Sequence, residues 1–218
     1  MVDKNKSTDS NILKTIDSLR VNGFDVWYVK NQREAAQIFG DEILSKIKPE
    51  TVSWGDSVTL HTLGIISKLQ QTQNVELIDP FGEHLSWKEQ INNRKRALLS
   101  DMFLTGTNAI TTKGQLVNLD MIGNRIAGIA FGPKKVVIFA GINKIVENID
   151  AAINRIKTTA APMNAQRHKD ELKTPCQLTG ECVDCNSPQR ICNTWQITEK
   201  SYPVSRIKIV LINEQLGF

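Results

Sequence analysis

Apolar residues along this chain follow two different periods, one typical of helices and one typical of buried strands. Ile12, Ile16 and Leu19 recur at helical spacing, and Gly23 is a suitable end for that helix. Short, nearly continuous apolar runs predict strands at residues 24–29, 51–54, 75–78, 135–140, 195–198 and 206–212. The run at 135–140, KVVIFA, is typical of a strand that is buried on both faces, as in a parallel sheet.

Helical patterns lie between most of these strand-like runs. Asn31 with Glu34, and Ser86 with Glu89, have the spacing of capping boxes and predict helices that extend to about residues 46 and 102. Further helices are predicted from near residue 58, over 123–132 and from about residue 143, and Pro162 should break or kink the last of them. This alternation predicts an α/β fold with an open, mostly parallel sheet and helices on both faces.

The centre and the two ends of the chain have a different character. Two β-prone runs flank Lys113 and Gly114, which predicts a hairpin within residues 103–119. We expect residues 1–9 to form a disordered N-terminus and residues 10–218 to form a single domain. Within it, residues 174–194 are interpreted as a loop insertion that is too short to bury a core without a metal.

Composition and charge exclude several classes of protein. The 218 residues are 40% hydrophobic and 23% charged with a net charge of +4, which is ordinary for a folded soluble protein. The densest basic cluster, Arg94-Lys95-Arg96, lies in a predicted helix and is interpreted as a solvated face, so no nucleic-acid partner is expected. No apolar run approaches the ~20 residues of a membrane span. The polar N-terminus lacks a signal-peptide core, so a cytoplasmic location with reduced thiols is expected.

All four cysteines of the chain lie in one segment, TPCQLTGECVDCNSPQRICN, with the spacing C-x5-C-x2-C-x6-C. Thr, Gly, Asn and Pro predict a loop, on which Cys176, Cys182, Cys185 and Cys192 could converge on one metal centre. Zinc sites usually pair two C-x2-C units, whereas only one is present here, and iron–sulfur loops tolerate more varied spacing. We therefore favour a [4Fe–4S] cluster and keep zinc as the alternative.

Polar residues at the predicted strand ends indicate a second candidate site. Gly55, Asp56 and Ser57 come directly after a strand and before a helix, where an anion can bind, although the same residues could simply cap the helix. A second polar group suits either turns or a pocket, and Arg125 in it could clamp a carboxylate or phosphate. Its other members are Thr105, Gly106, Thr107, Asn108, Thr111, Thr112, Gly114, Asn118 and Asn124.

Catalytic motifs give little further guidance. The three histidines, His61, His84 and His168, are far apart in sequence, and a surface or capping role is the interpretation for each. No nucleophile–base pair can be recognised from spacing. Asp56 and Asp120 are the carboxylates that could form an acid–base pair in the predicted pocket.

The central segment FLTGTNAITTKGQLVNLDMIGNRIAGIAFGPKKVVIFAGINKIV resembles the LUD-domain family, of the lactate-utilisation protein C type. The SWGDS turn and the stretch TAAPMNAQRH also resemble that family, over about residues 10–218. The resemblance implies a fold like that of the sugar-phosphate isomerase and CoA-transferase superfamily. It also implies a role in L-lactate oxidation beside iron–sulfur partner subunits. The pocket that it implies comprises Gly55–Ser57, Thr105–Asn108, Gly114, Asn118 and Asn124, with Asn164 closing it.

Two hypotheses from different classes remain open at this point. In the first, the pocket binds a small 2-hydroxy or 2-oxo acid, or an anionic cofactor, near an iron–sulfur cluster. The protein is then a redox component of lactate or related 2-hydroxy acid oxidation. In the second, the metal is zinc, the cysteine loop is a structural staple, and the pocket serves a metabolite-binding or regulatory module without catalysis. CoA transfer is disfavoured because the TGTNAIT strand carries no glutamate to act as nucleophile.

Overall fold

The computed structural model describes residues 4–72 and 75–218, and the strands in these ranges form two sheets. The strands are β1 (Asp25–Val29), β2 (Thr51–Trp54), β3 (Glu76–Ile78), β4 (Met102–Gly106), β5 (Ala109–Thr111), β6 (Leu116–Asp120), β7 (Lys135–Gly141), β8 (Ile145–Val146), β9 (Thr194–Thr198) and β10 (Ile207–Ile212).

The larger sheet has the strand order β1-β10-β7-β4-β2-β3, and every pair of neighbours in it is parallel. The predicted α/β fold with a mostly parallel sheet is therefore confirmed. Parallel strands that are covered on both faces should be apolar throughout. The central strands β4, β7 and β10 agree, because almost every one of their residues is buried.

The helices are α1 (Lys4–Val21), α2 (Gln32–Ile38), α3 (Ser45–Ile47), α4 (Val58–Thr62), α5 (Ile65–Gln70), α6 (Trp87–Ala97), α7 (Asn124–Ala130), α8 (Ile149–Arg155), α9 (Ala161–Arg167) and α10 (Pro175–Thr179). Some of these helices join through π-helical segments. One at 39–44 links α2 to α3, and another at 156–160 links α8 to α9 just before Pro162.

The core lies on both faces of the larger sheet, as the alternation along β7 illustrates. Val137 and Phe139 point to one face, where they join apolar residues of α2, α4 and α5. Val136 and Ile138 point to the other face, where they join α1 and Ile129 of α7. Burial of these side chains at roughly 25 cal/mol per Å² of apolar surface is the main stabilisation of the layered fold.

The smaller sheet has the order β8-β5-β6-β9, with β5 and β6 antiparallel. The predicted hairpin around Lys113 and Gly114 is confirmed by this pairing. Gly114 has φ +76°, and a Cβ there would lie 2.7 Å from the backbone of Ser18 and Leu19, so the turn requires glycine for close packing against α1.

Several predicted boundaries were wrong. The helix predicted from about residue 143 begins only at Ile149, because Asn148 caps it and residues 145–146 pair with β5 as strand β8. The helix predicted to reach residue 102 ends at Ala97. Of the predicted disordered start over residues 1–9, residues 1–3 lie outside the described ranges, and residues 4–9 belong to α1.

The cysteine segment is mostly irregular but contains one short helix that the loop prediction missed. Thr174 and Gln177 form a capping box for α10, Pro175 occupies its first position, and Gly180 ends it in the left-handed conformation. Cys176 therefore lies on a helix, whereas the other three cysteines lie on the loop after it. Within the described residues, no helix combines the length and apolar character that crossing a membrane requires.

Candidate ligand cavity and cysteine pocket

The strand-end cavity, a space of about 700 Å³, opens where the carboxyl ends of the adjacent parallel strands β2, β4 and β7 meet. This is the edge at which open α/β sheets bind their ligands. The cavity is within the range of about 300–1,000 Å³ that is typical of small-molecule sites. The predicted site residues that line it are Asp56, Ser57, Gly106, Thr107, Asn108, Asn124, Arg125 and Asn164.

Four other residues of the predicted pocket do not line the cavity. Thr105 and Asn118 are fully buried behind its wall. Gly55 lies against Thr105, where a Cβ would come within 2.9 Å of the threonine hydroxyl. Gly114 is on the hairpin turn beside α1. These residues support the fold around the cavity. Only glycine fits at positions 55 and 114, because a Cβ atom there would come too close to neighbouring atoms.

Ser57 combines the two roles that its sequence position suggested. Its side chain accepts a hydrogen bond from the backbone N–H of Leu60 and caps α4, and the residue also lines the cavity. Gly106 lies opposite, and a Cβ there would be 2.5 Å from the Ser57 hydroxyl. The end of β4 and the start of α4 are therefore in direct contact at the cavity wall.

Arg125 is held by the protein itself and organises the wall. Its Nε donates to Asp120 Oδ1 at 2.9 Å, and Nη2 donates to Asp120 Oδ1 and Asn108 Oδ1 at 2.7 Å each. Nη1 donates to Asn118 Oδ1 at 2.9 Å and to the carbonyl of Gly106 at 3.3 Å. All three nitrogens thus hydrogen-bond to protein oxygens, so Arg125 is a positioning residue in this conformation rather than the clamp that the sequence suggested.

A cluster of charged side chains surrounds Asp56 at another part of the cavity. Arg167 donates to both carboxylate oxygens of Asp56, and the Nε2 atoms of His61 and His168 lie 3.5 and 3.6 Å from that carboxylate. Burial alone would raise the pKa of Asp56, but hydrogen bonds from His168, His61 and Arg167 outweigh it and hold the pKa well below its usual range. The hydrogen bond to Asp56 raises the pKa of His168.

The surface or capping role predicted for the histidines agrees with His61, about half of whose side chain is exposed, but the sequence did not predict that His61 and His168 both approach Asp56. His61 comes from α4, five residues after Asp56, and His168 follows α9. The stretch TAAPMNAQRH ends at His168 and could have flagged it, but sequence spacing alone does not bring α9 to the start of α4.

Arg94 forms a second positive group at the cavity. Its guanidinium lies 4.9 Å from the ring centroids of both Phe81 and Trp87, and both rings also line the cavity. Burial lowers the pKa of Arg94. Within the described ranges, its Nε is buried without a hydrogen-bond partner, while Nη2 donates to Gln90. The basic cluster Arg94-Lys95-Arg96 was interpreted as a solvated face, but one of its three residues, Arg94, lines the cavity.

Lys144 is the most deeply buried cationic group that lines the cavity, with 5% of its surface exposed. It follows β7, and its Nζ donates to the carbonyl of Thr107 at 3.0 Å and to Thr59 Oγ1 at 3.2 Å. Burial, with the nearby charges of Arg155 and Arg125, lowers its pKa to about 7. The strand-end rule that selected Asp56 and Asn108 could also have selected Lys144, since β7 ends just before it.

The cysteine pocket is a separate, smaller cavity of about 20 Å³, and all four cysteines line it. The loop closes on itself through hydrogen bonds from Ser187 to the carbonyl of Lys173 and from the Lys173 N–H to Gln189. All four thiols are free and partly exposed. In the described part of the chain, no three His, Cys, Asp or Glu side chains stand close enough together to hold a metal ion, so a metal would require the loop to contract.

Arg190 gives the cysteine pocket a positive side. Its Nε donates to Cys192 Sγ at 3.1 Å, and its Nη1 donates to the carbonyl of Cys185 at 2.8 Å. Burial raises the pKa of the Cys192 thiol, and the hydrogen bond from Arg190 opposes that effect. A guanidinium beside thiols would partly offset the negative charge that accumulates when several of them ionise.

The two cavities share a wall. Ile191, between Arg190 and Cys192, lines both the cysteine pocket and the strand-end cavity. This part of the loop is attached to strand β6, because the backbone N–H of Asn193 donates to the carbonyl of Asp120 at 2.9 Å. The cysteine pocket and the strand-end cavity therefore adjoin at Ile191.

Comparison with known proteins agrees with this architecture. The model of the LUD domain matches residues 12–212, so the chain belongs to the LUD-domain family, as the central motif predicted. No curated protein matches the chain.

Two solved structures are similar to this one. The first is a DUF162 family protein from Deinococcus radiodurans, with 11% sequence identity and a TM-score of 0.53, covering 95% of this chain and 98% of that one. The second is ribose 5-phosphate isomerase from Plasmodium falciparum, with 16% identity and a TM-score of 0.30, covering 63% of this chain and 54% of that one. The likeness to the Deinococcus protein is one of fold.

Proposed function

We propose that this protein is a redox-associated component of the oxidation of lactate or a related 2-hydroxy acid. In this proposal a small anionic metabolite binds in the strand-end cavity, and an iron–sulfur cluster binds to Cys176, Cys182, Cys185 and Cys192. The observation that carries the proposal is the shared wall at Ile191, which would place a cysteine-bound group beside the cavity in which the metabolite binds. Electron transfer requires such proximity, whereas a purely structural staple does not.

The charge around the strand-end cavity supports an anionic ligand. Lys144 and Arg94 both line the cavity, and in the described residues neither forms an ion pair with a carboxylate. Burying cationic groups without a counter-ion is costly, and an incoming carboxylate would remove that cost. A 2-hydroxy or 2-oxo acid carries such a carboxylate beside its reactive oxygen.

The donor set of the cysteine pocket suits a metal centre. Four thiols line one pocket, and Arg190 already hydrogen-bonds to the sulfur of Cys192. Thiolates are the ligands that iron–sulfur clusters and zinc select. When bound, an iron–sulfur cluster would accept and pass on single electrons. The residues of this chain would hold it, offset its charge through Arg190 and separate it from the ligand by Ile191.

The second candidate function is a metabolite-binding or regulatory module in which a structural zinc ion binds to the cysteines and stabilises their loop. The size of the cysteine pocket favours this alternative, because a space of about 20 Å³ suits a single small ion, around which the loop would contract. Four thiolates around Zn²⁺ make a closed structural site, which contributes folding energy without chemistry.

Anaerobic purification followed by a visible absorption spectrum and analysis of iron, sulfide and zinc separates the two candidates. For the first, we expect a brown protein with iron and sulfide in near-equal amounts, and dithionite should bleach its visible absorption. The C182S/C185S double variant should lose the metal. Leu178→Ala is the matched control, because Leu178 is on α10 in the same segment and its side chain is almost fully exposed.

One zinc per chain in a colourless protein would instead support the stapled module. A metal-free, colourless protein under these conditions would contradict both candidates.

A further inference from the structure

Lys144 has an incomplete set of hydrogen-bond partners for a charged amine. Its Nζ donates to the Thr107 carbonyl and to Thr59 Oγ1. Thr59 uses its own hydroxyl hydrogen to donate to the carbonyl of Leu216 at 3.3 Å, so it can only accept from Lys144. A neutral amine has two N–H donors, which these acceptors satisfy, whereas an ammonium has a third. Within the described residues, Nζ makes no third hydrogen bond.

The charged side chains that most affect Lys144 are also both positive. Arg155 of α8 and Arg125 of α7 are the charged groups that act on its amine, and both are positive. Arg125 is neutralised by Asp120, while the partners of Arg155 among the described residues are the backbone carbonyls of Asn108 and Asn143. The partners of Lys144 on the other packed elements, Thr59 and the Thr107 carbonyl, are uncharged. Asp120 and the chain-terminal Phe218 also line the cavity, but in the described part of the chain no carboxylate lies within ion-pair distance of Lys144.

We propose that Lys144 is the anion-binding residue of the strand-end cavity and that its third N–H donates a hydrogen bond to a carboxylate or phosphate oxygen of the ligand. This inference rests on the proposed function only in taking the cavity as the ligand site. Lys144 is placed for this role because it lines the cavity, hydrogen-bonds to two acceptors and ends the short 3-10 helix Ile142–Lys144 directly after β7. A side chain fixed in this way binds without much further loss of conformational entropy.

Proton uptake should accompany this binding. In the free protein, burial and the two guanidinium groups lower the pKa of Lys144 to about 7. An anion on Nζ favours the charged amine and raises that pKa. Below about pH 7 the amine is charged with or without the ligand, so affinity is constant there. Above it, binding takes up a proton, and affinity falls by about tenfold per pH unit until the pKa of the complex is reached.

Isothermal titration calorimetry on the full chain tests the proposal, with sodium pyruvate, sodium L-lactate and inorganic phosphate as separate probes. Titrations at about pH 6 and about pH 8, in buffers of different ionisation enthalpy, count the protons taken up. For at least one probe, we expect uptake near zero at the lower pH, uptake approaching one proton per anion at the higher pH, and weaker binding there. The carboxylates and phosphate together distinguish the two possible anionic groups.

Lys144→Gln is the decisive variant, because an amide keeps two N–H donors for Thr59 and Thr107 but cannot become charged. It should weaken binding by at least tenfold at about pH 6 and abolish proton uptake. Lys144→Met provides a second variant without donors, in case the amide disturbs the fold. Lys68→Gln is the matched control at an exposed lysine of α5 and should bind as the wild type does.

Three outcomes would overturn the assignment: both Lys144 variants bind an anion as tightly as the wild type, binding proceeds without proton uptake at the higher pH, or none of the three probes binds. The metal content of the same preparation is measured separately. A failure of the iron–sulfur proposal therefore appears as absent iron, whereas a failure of this inference appears in the calorimetry alone.

Discussion

The strand-end cavity and the cysteine pocket are built on opposite principles. The walls of the cavity come from the ends of adjacent parallel strands, and buried hydrogen bonds such as those of Arg125 fix its polar groups. The cysteine pocket is formed by an irregular segment whose hydrogen bonds mostly close on the segment itself. A sheet edge therefore provides a site whose geometry exists before any ligand binds, whereas a loop of thiols needs its metal to define the geometry.

The largest expected effect concerns the stability of the cysteine segment after metal removal. In the C182S/C185S variant, or after chelation of the wild type, we expect amide hydrogen exchange over residues 174–192 to approach that of an unfolded chain. The amides of β4 and β7 should keep their protection, because buried parallel strands on both sides hold them. Hydrogen exchange with mass spectrometry measures both regions in one experiment.

Leu178→Ala should leave the exchange of both regions unchanged. Equal loss of protection in the cysteine segment and in the sheet would contradict the distinction between the two regions. Unchanged protection of the segment after complete metal removal would show that the loop is ordered by its own hydrogen bonds.

The same distinction explains how much of the molecule could be predicted from sequence. The parallel sheet was predictable because buried strands such as 135–140 are apolar on both faces. The rule that ligands bind at strand ends then located Asp56, Ser57 and Asn108 at the cavity. Local chemistry and one general rule of topology were sufficient for these residues.

The remaining site residues depended on contacts between distant parts of the chain. His168 reaches Asp56 only because α9 packs beside the start of α4, and no spacing in the sequence encodes that distance. The π-helical segment at 156–160, which links α8 to α9, has no clear sequence signal. Arg125 was recognisable as a functional group, but its hydrogen bonds to Asp120 and Asn118 became visible only in the fold.

The second prediction tests whether the cavity wall is preformed. Arg125 and Asp120 are an almost fully buried ion pair at 2.7 Å, so Arg125→Met should leave a carboxylate buried without its partner. We expect a loss of about 3–5 kcal/mol in the free energy of unfolding. Urea denaturation followed by circular dichroism measures this loss.

Arg167→Met is the matched control, because its pair with Asp56 is about one-third exposed. It should cost less than Arg125→Met, because Asp56 would keep its contacts with His61 and His168 and stays partly accessible to solvent. If the two variants were equally stable, the wall around Arg125 would be no more rigid than the partly exposed Asp56 cluster. The contrast between a preformed and a ligand-defined site would then weaken.

The smallest effect is expected at the Asp56 cluster, where Asp56→Asn should lower the pKa of His168. The hydrogen bond to Asp56 raises that pKa in the wild type. The contribution of this hydrogen bond to the free energy of unfolding is therefore fully present below about pH 6.5 and is lost as pH rises through the folded-state pKa of His168. The stability difference between wild type and variant should therefore shrink as the pH rises through that window. Ionisation of Asp56 does not change the pH dependence of the unfolding free energy in this range, because its lowered pKa keeps the carboxylate ionised until far more acidic pH.

NMR titration of the His168 imidazole measures this shift directly, and His168→Gln assigns the signal. Asp150→Asn, at an exposed carboxylate in the first turn of α8, should leave the titration unchanged. An unaltered pKa of His168 in the Asp56 variant would mean that the ring is not held by the carboxylate in solution. The side chains around Asp56 would then vary in position, as we expect of the cysteine loop. The preformed part of the cavity would be limited to the strand ends around Arg125 and Lys144.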